Sequence, residues 1–257
     1  MRETIPCRDD NRTWATVAEL SGACVGVGPE AGLPGPLDQG SVRYDPEAVA
    51  QHGRVVTSRL VLRLAAHADA AALSAILRAD AEPMLGSWPY PLSPATALDK
   101  IERAIAQANR HEALAYVYSD RATGRVAGWC GAVRWHEMQD DIAMLTYWIG
   151  EDFEGRGYVA EAIRAAGPHV LAWIGASRLG AGAYPYNERS RRTMQRAGLT
   201  TPDGVRQLWS STRERHEPIV CFAANREEVM SWLGGSAQGA SAATDEPTDR
   251  ANRARAA

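Results

Sequence analysis

Lysine is almost missing from this sequence. Lys100 is the only one among 28 basic residues, a bias we ascribe to a GC-rich coding sequence rather than to selection for guanidinium chemistry. The formal net charge is −3, so the chain lacks the basic surface that nucleic-acid binding demands, and no nucleic-acid partner is expected. Cysteine is scarce and scattered. Cys7, Cys24, Cys130 and Cys221 show no paired ligand spacing, which argues against a zinc site and against a disulfide framework. No metal is therefore expected, and reduced thiols suit a cytoplasmic location. No run approaches the roughly 18 apolar residues of a membrane span, and the N-terminal Met-Arg-Glu-Thr-Ile-Pro holds an acid where a leader would have an apolar stretch. A cytoplasmic protein without membrane contact is the expectation, as monomer or homodimer. What is present is ordinary for a globular core: 45% hydrophobic and 23% charged residues.

Three regions are expected. Residues 1–55 are rich in glycine, proline and acids without a sustained helical or strand period, and read as a weakly ordered N-terminal extension or as a start site placed too early. Residues 56–233 form the domain, and residues 234–257, dominated by Gly, Ser, Ala, Thr and charge, read as a disordered tail. Within the domain, Leu60, Leu62 and Leu64 alternate with Arg59, Val61 and Arg63, the period of a half-buried strand over 57–64. Leu73, Ile76 and Leu77 mark an amphipathic helix over 67–78. A loop broken by three prolines follows, with Met84, Trp88 and Tyr90 as large apolar side chains that suit either a substrate-side wall or plain packing. Ser93 and Pro94 then open a second helix over 95–109. Strands at 113–118, 125–134 and 142–149 make an antiparallel meander. A helix over 158–173 is expected to kink or end at Gly167-Pro168. A strand at 179–184, a helix at 190–196 closed by Gly198, a strand at 218–223 and a short helix at 226–233 complete the order.

Between the third meander strand and the next helix lies Ile149-Gly-Glu-Asp-Phe-Glu-Gly-Arg-Gly-Tyr-Val-Ala. Gly155 and Gly157 permit backbone angles closed to other residues and let main-chain N–H groups converge on an anion at a helix N-terminus. A pyrophosphate would fit such a cradle. The same residues would also serve a plain strand-to-helix turn, and only their context separates the two.

That context resembles the GNAT N-acetyltransferase superfamily over about residues 57–233, and within it the Rim-type branch, which acetylates the N-terminal amino groups of ribosomal proteins and has many small-molecule-modifying relatives. Three motifs carry the resemblance: Thr57-x-Arg59-Leu60-x-Leu62-Arg63; Tyr147-Trp148-Ile149-Gly150 followed by Gly155-Arg156-Gly157-Tyr158 and Glu161-Ala162; and Asn187-x-x-Ser190-x-Arg192-x-Met194-x-Arg196-x-Gly198. The fold it implies is α+β, layered α/β/α: a mostly antiparallel mixed sheet with splayed central strands and flanking helices. The implied activity is direct transfer of an acetyl group from acetyl-CoA to a primary amine, on a protein N-terminus or a small molecule, without a metal. The resemblance places the pyrophosphate on the backbone of Gly155, Arg156, Gly157, Tyr158, Val159 and Ala160. It places the pantetheine amides along Trp148 and Ile149, and Asn187 on the pantetheine arm or the adjacent backbone. Ser190 would stand near the thioester sulfur as a general acid, with an N-cap as its structural alternative.

Four departures qualify the pattern. Val159 stands where the family's loop usually has Ala or Gly, and Glu154 puts a carboxylate at the loop's first position, which would repel the pyrophosphate unless turned outward and which Arg156 could offset. Met144 replaces the Glu that many members carry as a base, and a thioether cannot take a proton. An α-amine of pKa near 8 is partly neutral in the cytoplasm, whereas a lysine amine near 10.4 loses about three orders of magnitude to protonation, so a missing base favours an α-amine acceptor. His136 is the substitute base, with Glu137, Asp140 and Asp141 beside it, all equally suited to a solvated turn. Tyr184 and Tyr186 flank the cleft side of their strand. Pro168 lies about three helical turns beyond the anion site and reads as structural. The alternative function is a catalytically degenerate domain that binds acyl-CoA or a protein.

Overall fold

The computed structural model describes residues 43–77, 88, 91–135, 141–210 and 213–235. The expectations for residues 1–42 and for the tail beyond 235, for Met84 and Tyr90, and for His136, Glu137 and Asp140 lie outside the described residues.

Secondary structure begins inside the stretch expected to be weakly ordered. Helix α1 (Pro46–His52) starts with a proline in its first turn and is capped by Asp45, whose carboxylate accepts the Glu47 N–H at 2.7 Å. Strand β1 (Arg54–Val56) pairs antiparallel with β2 (Leu60–Leu64). The glycine- and proline-rich residues upstream obscured both, and a strand of three residues has no period to detect; its partner defines it. A 3-10 turn at His67–Asp69 runs into α2 (Ala70–Ile76), and Ser93 caps α3 (Pro94–Ala108) by accepting the Thr96 N–H at 3.0 Å.

The expected meander is present as β3 (Ala113–Asp120), β4 (Val126–Arg134) and β5 (Ile142–Ile149). Helix α4 (Tyr158–Ile174) follows and continues through Pro168, so the helix does not end at Gly167-Pro168, the second of the two outcomes expected there. An interior proline costs about 3 kcal/mol. Ile163, Ala166, Val170 and Leu171 on either side of it are fully buried, and each large apolar side chain contributes about 1.5–3 kcal/mol. Packing outweighs the lost hydrogen bond. Strand β6 (Arg178–Ala183), helix α5 (Glu188–Ala197), strand β7 (Thr201–Ser210), strand β8 (Arg215–Asn225) and helix α6 (Arg226–Gly235) complete the fold.

The eight strands found among the described residues form one open sheet in the order β1-β2-β3-β4-β5-β6-β8-β7, antiparallel except for β5 against β6. On β3, Leu114, Tyr116 and Tyr118 face the main core with α4, while Ala115 and Val117 face a second core with α2 and α3. A third cluster gathers Ile142, Met144, Tyr184, Ile219 and Cys221 where β5, β6 and β8 meet. The parallel pairing of β5 with β6 covers only Ile142 to Leu145 against Arg178 to Ala181. Beyond it β5 continues to Ile149 and β6 to Ala183 without pairing to each other, so the two strands diverge into a gap. This is the splayed centre that the family resemblance implied.

Candidate active site

The site begins where β5 ends. Gly150 leads into a 3-10 turn at Glu151–Phe153, and Glu154 turns the chain out before Gly155 and Gly157 take left-handed φ angles of 74° and 77°. Gly157 is the N-cap of α4 and offers no side chain to it, so the first N–H groups of a 17-residue helix are left open to an outside acceptor. A cavity of about 440 Å³ lies over them. One wall is Ile149, Gly155, Gly157, Tyr158, Val159 and Ala160; the other is α5, which presents Arg189, Arg192, Thr193 and Arg196 together with Glu188, the last held by Arg192 at 3.1 Å. Sequence reasoning found the first wall and missed most of the second. The signal was arginine at 189, 192 and 196, the i, i+3, i+7 spacing that shares one helix face.

Two of the three sequence motifs meet here. Glu161, one turn into α4, accepts the Thr57 hydroxyl at 2.5 Å and the Arg59 Nε at 2.6 Å. Arg59 also donates to the Arg156 carbonyl at 2.8 Å and lies 5.1 Å from the Tyr158 ring centre. The opening motif thus braces the glycine loop. Tyr158 donates its hydroxyl to Asp120 at 2.5 Å, and that bond, aided by Thr123, draws the Asp120 pKa down to about 2. The carboxylate stays ionised and ties the start of α4 to the end of β3.

Of the two ways expected to relieve the Glu154 charge, turning the carboxylate outward or offsetting it with Arg156, the structure shows the first. Glu154 turns outward to Arg189 of α5 at 2.7 Å, and its carboxylate is neutralised there. Arg156, the expected counter-charge, instead donates to the Asp152 carbonyl at 2.9 Å and rests 5.6 Å from the Phe153 ring centre. The cations facing the cavity come from α5. Val159 is half-buried against the main core and leaves the cavity open.

The Trp148 side chain does not line this cavity. Its indole is buried on the opposite face of the sheet, 5.3 Å from the ring centre of Trp88, which stands 5.0 Å from that of Trp129. Its carbonyl accepts the Tyr118 hydroxyl at 2.9 Å. Gly128 makes this reach possible, since a Cβ there would sit 2.5 Å from that hydroxyl oxygen.

Asn187 is the N-cap of α5, its Oδ1 accepting the Ser190 N–H at 3.0 Å. The capping role set against Ser190 therefore belongs to Asn187, and Ser190 sits in the first turn of the helix. Its hydroxyl lies 2.8 Å from the phenol oxygen of Tyr147 on β5, a contact sequence reasoning did not foresee. Met144 is buried in the third cluster. Asp141 is engaged by Arg134 and accepts the Ser177 N–H at 3.0 Å, which removes it as a free base. Tyr184 is buried and Tyr186 exposed, their rings parallel with centres 5.5 Å apart, and Arg213 of the β7–β8 connection lies over both. Among the described residues no three His, Cys, Asp or Glu side chains are grouped to hold a metal ion.

Residues 59–200 match the family model of the acetyltransferase (GNAT) domain, and the chain belongs to that family and with it to the acyltransferases. No curated protein matches the sequence. Among solved structures it is similar to Mycobacterium smegmatis RimJ in complex with CoA-disulfide, at 20% identity and a TM-score of 0.56, over 69% of this chain and 89% of that one. It is similar to the Salmonella typhimurium acetyltransferase that modifies the N-terminal serine of ribosomal protein L7/L12, at 17% identity and a TM-score of 0.55, over 66% of this chain and 96% of that one. A third likeness is to the microcin C7 self-immunity acetyltransferase MccE in complex with acetyl-CoA and AMP, at 19% identity and a TM-score of 0.53, over 65% of this chain and 93% of that one.

Proposed function

We propose that the protein is an acetyl-CoA-dependent N-acetyltransferase acting directly on a primary amine, with an α-amine, as at a protein N-terminus, as the favoured acceptor. The observation that carries this reading is the cavity closed between the open N-terminus of α4 and the arginine face of α5, beside the gap between β5 and β6. Acetyl-CoA would supply an activated thioester. The chemistry of the lining suits it: open backbone donors and three arginines for phosphate oxygens, of which Arg189 and Arg192 would exchange their present partners Glu154 and Glu188 for the ligand, and unpaired strand edges in the gap for the pantetheine amides. The structures of RimJ and MccE hold CoA-disulfide and acetyl-CoA respectively.

In this reading Gly155 to Ala160 bind the pyrophosphate through main-chain N–H groups, and Arg189, Arg192 and Arg196 neutralise its charge. The Tyr147–Ile149 edge orients the pantetheine arm, and the Asn187 side-chain amide, its oxygen already engaged, has N–H groups left to donate. Ser190 protonates the departing sulfur. No carboxylate among the described residues replaces Met144 as base on its face of β5. On the same face of the sheet Glu217 of β8 is held by Arg215 at 2.7 Å, and that hydrogen bond lowers its pKa, which makes it a poor proton acceptor. An enzyme without a strong base is best served by an amine already partly neutral, which is the argument for an α-amine over a lysine side chain. The Salmonella typhimurium enzyme modifies the N-terminal serine of a ribosomal protein, and a protein N-terminus as acceptor agrees with that likeness.

The test is turnover by the full chain with acetyl-CoA, read as free thiol, against peptides with free α-amines, lysine-only peptides, aminoglycosides and polyamines. Turnover confined to α-amine peptides is expected. Failure to bind acetyl-CoA by calorimetry would overturn the reading, and binding without turnover of any amine would favour a catalytically degenerate binding domain.

A further inference from the structure

Tyr147 lies on the face of β5 that meets α4 and α5, two residues beyond the last pairing of β5 with β6. Its phenol oxygen is 2.8 Å from Ser190 Oγ. This contact joins the two sides of the splay, because β5 forms one wall of the gap and α5 follows the strand that forms the other. Either oxygen could be the donor by geometry alone, and chemistry decides between them. A phenol is the more acidic hydroxyl and the weaker acceptor, since its lone pair is delocalised into the ring. Burial raises the Tyr147 pKa further above its ordinary value, so the phenol carries its proton throughout the physiological range. Ser190 Oγ is its one hydrogen-bond partner among the described residues. The Ser190 backbone is fixed as well, its N–H held by Asn187 at 3.0 Å.

We infer that Tyr147 is a positioning residue for Ser190: it donates its hydroxyl hydrogen to Ser190 Oγ and so leaves the serine proton directed away from β5 and free for the leaving sulfur. This inference rests on the N-acetyltransferase reading of the site. The proton count closes without Tyr147 giving up its own hydrogen. The Ser190 O–H breaks as the S–H forms, the Tyr147 hydrogen bond stabilises the alkoxide, and Ser190 recovers the proton shed by the acylated nitrogen. The sum moves one proton from nitrogen to sulfur. A tyrosine that serves only to tie β5 to α5 predicts a different pattern, since its loss would loosen the site whether or not Ser190 carried a hydroxyl.

The experiment is a kinetic double-mutant cycle on the full chain with Tyr147→Phe, Ser190→Ala and the double variant, using the best amine from the acceptor screen. Phenylalanine keeps the ring and its packing. Tyr147→Phe should lower kcat by about tenfold, the size of one neutral hydrogen bond, with the KM for acetyl-CoA and the thermal midpoint little changed. In the Ser190→Ala background the same change should have no further effect. A wild-type kcat in Tyr147→Phe, an equal loss in both backgrounds, or a change confined to KM overturns the inference while leaving the N-acetyltransferase reading intact. A wild-type protein that turns over no amine overturns both.

Discussion

At the scale of single residues, the site is set by what is missing from its side chains. Gly157 has no Cβ and a left-handed backbone, and a glutamate there would combine a conformational cost of about 1–2 kcal/mol with a carboxylate at the anion site. Gly157→Glu should weaken acetyl-CoA binding by about two orders of magnitude in calorimetry. Gly204, with a φ of 85° and open space within 4 Å of where a Cβ would stand, is the control: Gly204→Ala bears a similar backbone cost outside the cavity and should bind normally. Equal binding by Gly157→Glu and wild type would remove the cradle from the cofactor. Glu154 supplies the opposite test. It occupies Arg189 at 2.7 Å, and an incoming phosphate must compete with it for the same guanidinium. Glu154→Gln should therefore tighten acetyl-CoA binding severalfold at low salt and lose that advantage as salt rises; a salt-independent change would mean that Arg189 does not meet the ligand.

At the scale of elements, helices are held to the sheet by contacts that no single segment reveals. Helix α1 docks through His52, whose carbonyl accepts the Tyr116 hydroxyl at 2.9 Å and whose Nδ1 stands 3.1 Å from the Nδ1 of His169 on α4. One ring nitrogen must donate and the other accept, so a second proton on the pair would set two N–H groups against each other. Burial lowers the pKa of both rings, and in His52 the neighbouring His169 adds to the effect while Glu47 opposes it. Both folded-state pKa values lie below the ordinary 6.5, so the unfolded chain binds more protons as pH falls through that value. Stability is full above about pH 6.5 and declines below it. Urea midpoints measured between about pH 7.5 and 5.5 should fall with pH, and His169→Asn should flatten that part of the profile. An unchanged slope in the variant would exclude the pair as its source.

At the scale of the whole molecule, α6 acts as a clasp. Trp232 packs against positions where only hydrogen fits: a Cβ at Gly167 of α4 or at Gly198, the C-cap of α5, would each lie 2.9 Å from its indole. The Arg164 guanidinium stands 5.4 Å from the ring centre. One side chain thus fixes α4 and α5, the two walls of the cavity, relative to each other. Trp232→Ala should destabilise the fold by about 3–5 kcal/mol in urea unfolding followed by circular dichroism. A loss under about 1 kcal/mol, the range of an ordinary surface change, would show that the helices are held by the sheet alone.

The elements that were legible and those that were not differ in what makes them. The meander, α3 and the glycine loop were legible because β-branched and aromatic alternation, a Ser-Pro start and a Gly-x-Gly pair are local chemistry. Strand β7 was not. Thr201-Pro-Asp-Gly-Val-Arg-Gln-Leu-Trp-Ser has no alternation, and it becomes a strand by pairing with β8 across a register shift at Pro202/Val205, with Gly204 in a left-handed turn and Asp203 held by Arg178 and Arg206. Pro168 misled for the complementary reason: a local cost was visible and the packing that offsets it was not.

The glycine loop shows both halves of the division. Amino-acid order is enough to establish that residues 155 and 157 can turn a strand into a helix whose first N–H groups stay open, because that depends on the absence of two Cβ atoms. Which charges face those groups was settled in three dimensions alone. Folding paired Glu154 with Arg189, turned Arg156 away, brought the arginines of α5 across the cavity, and set Tyr147 against Ser190. Positions 43 residues apart in the chain meet only when β5 and β6 diverge, and no local pattern encodes where two strands part.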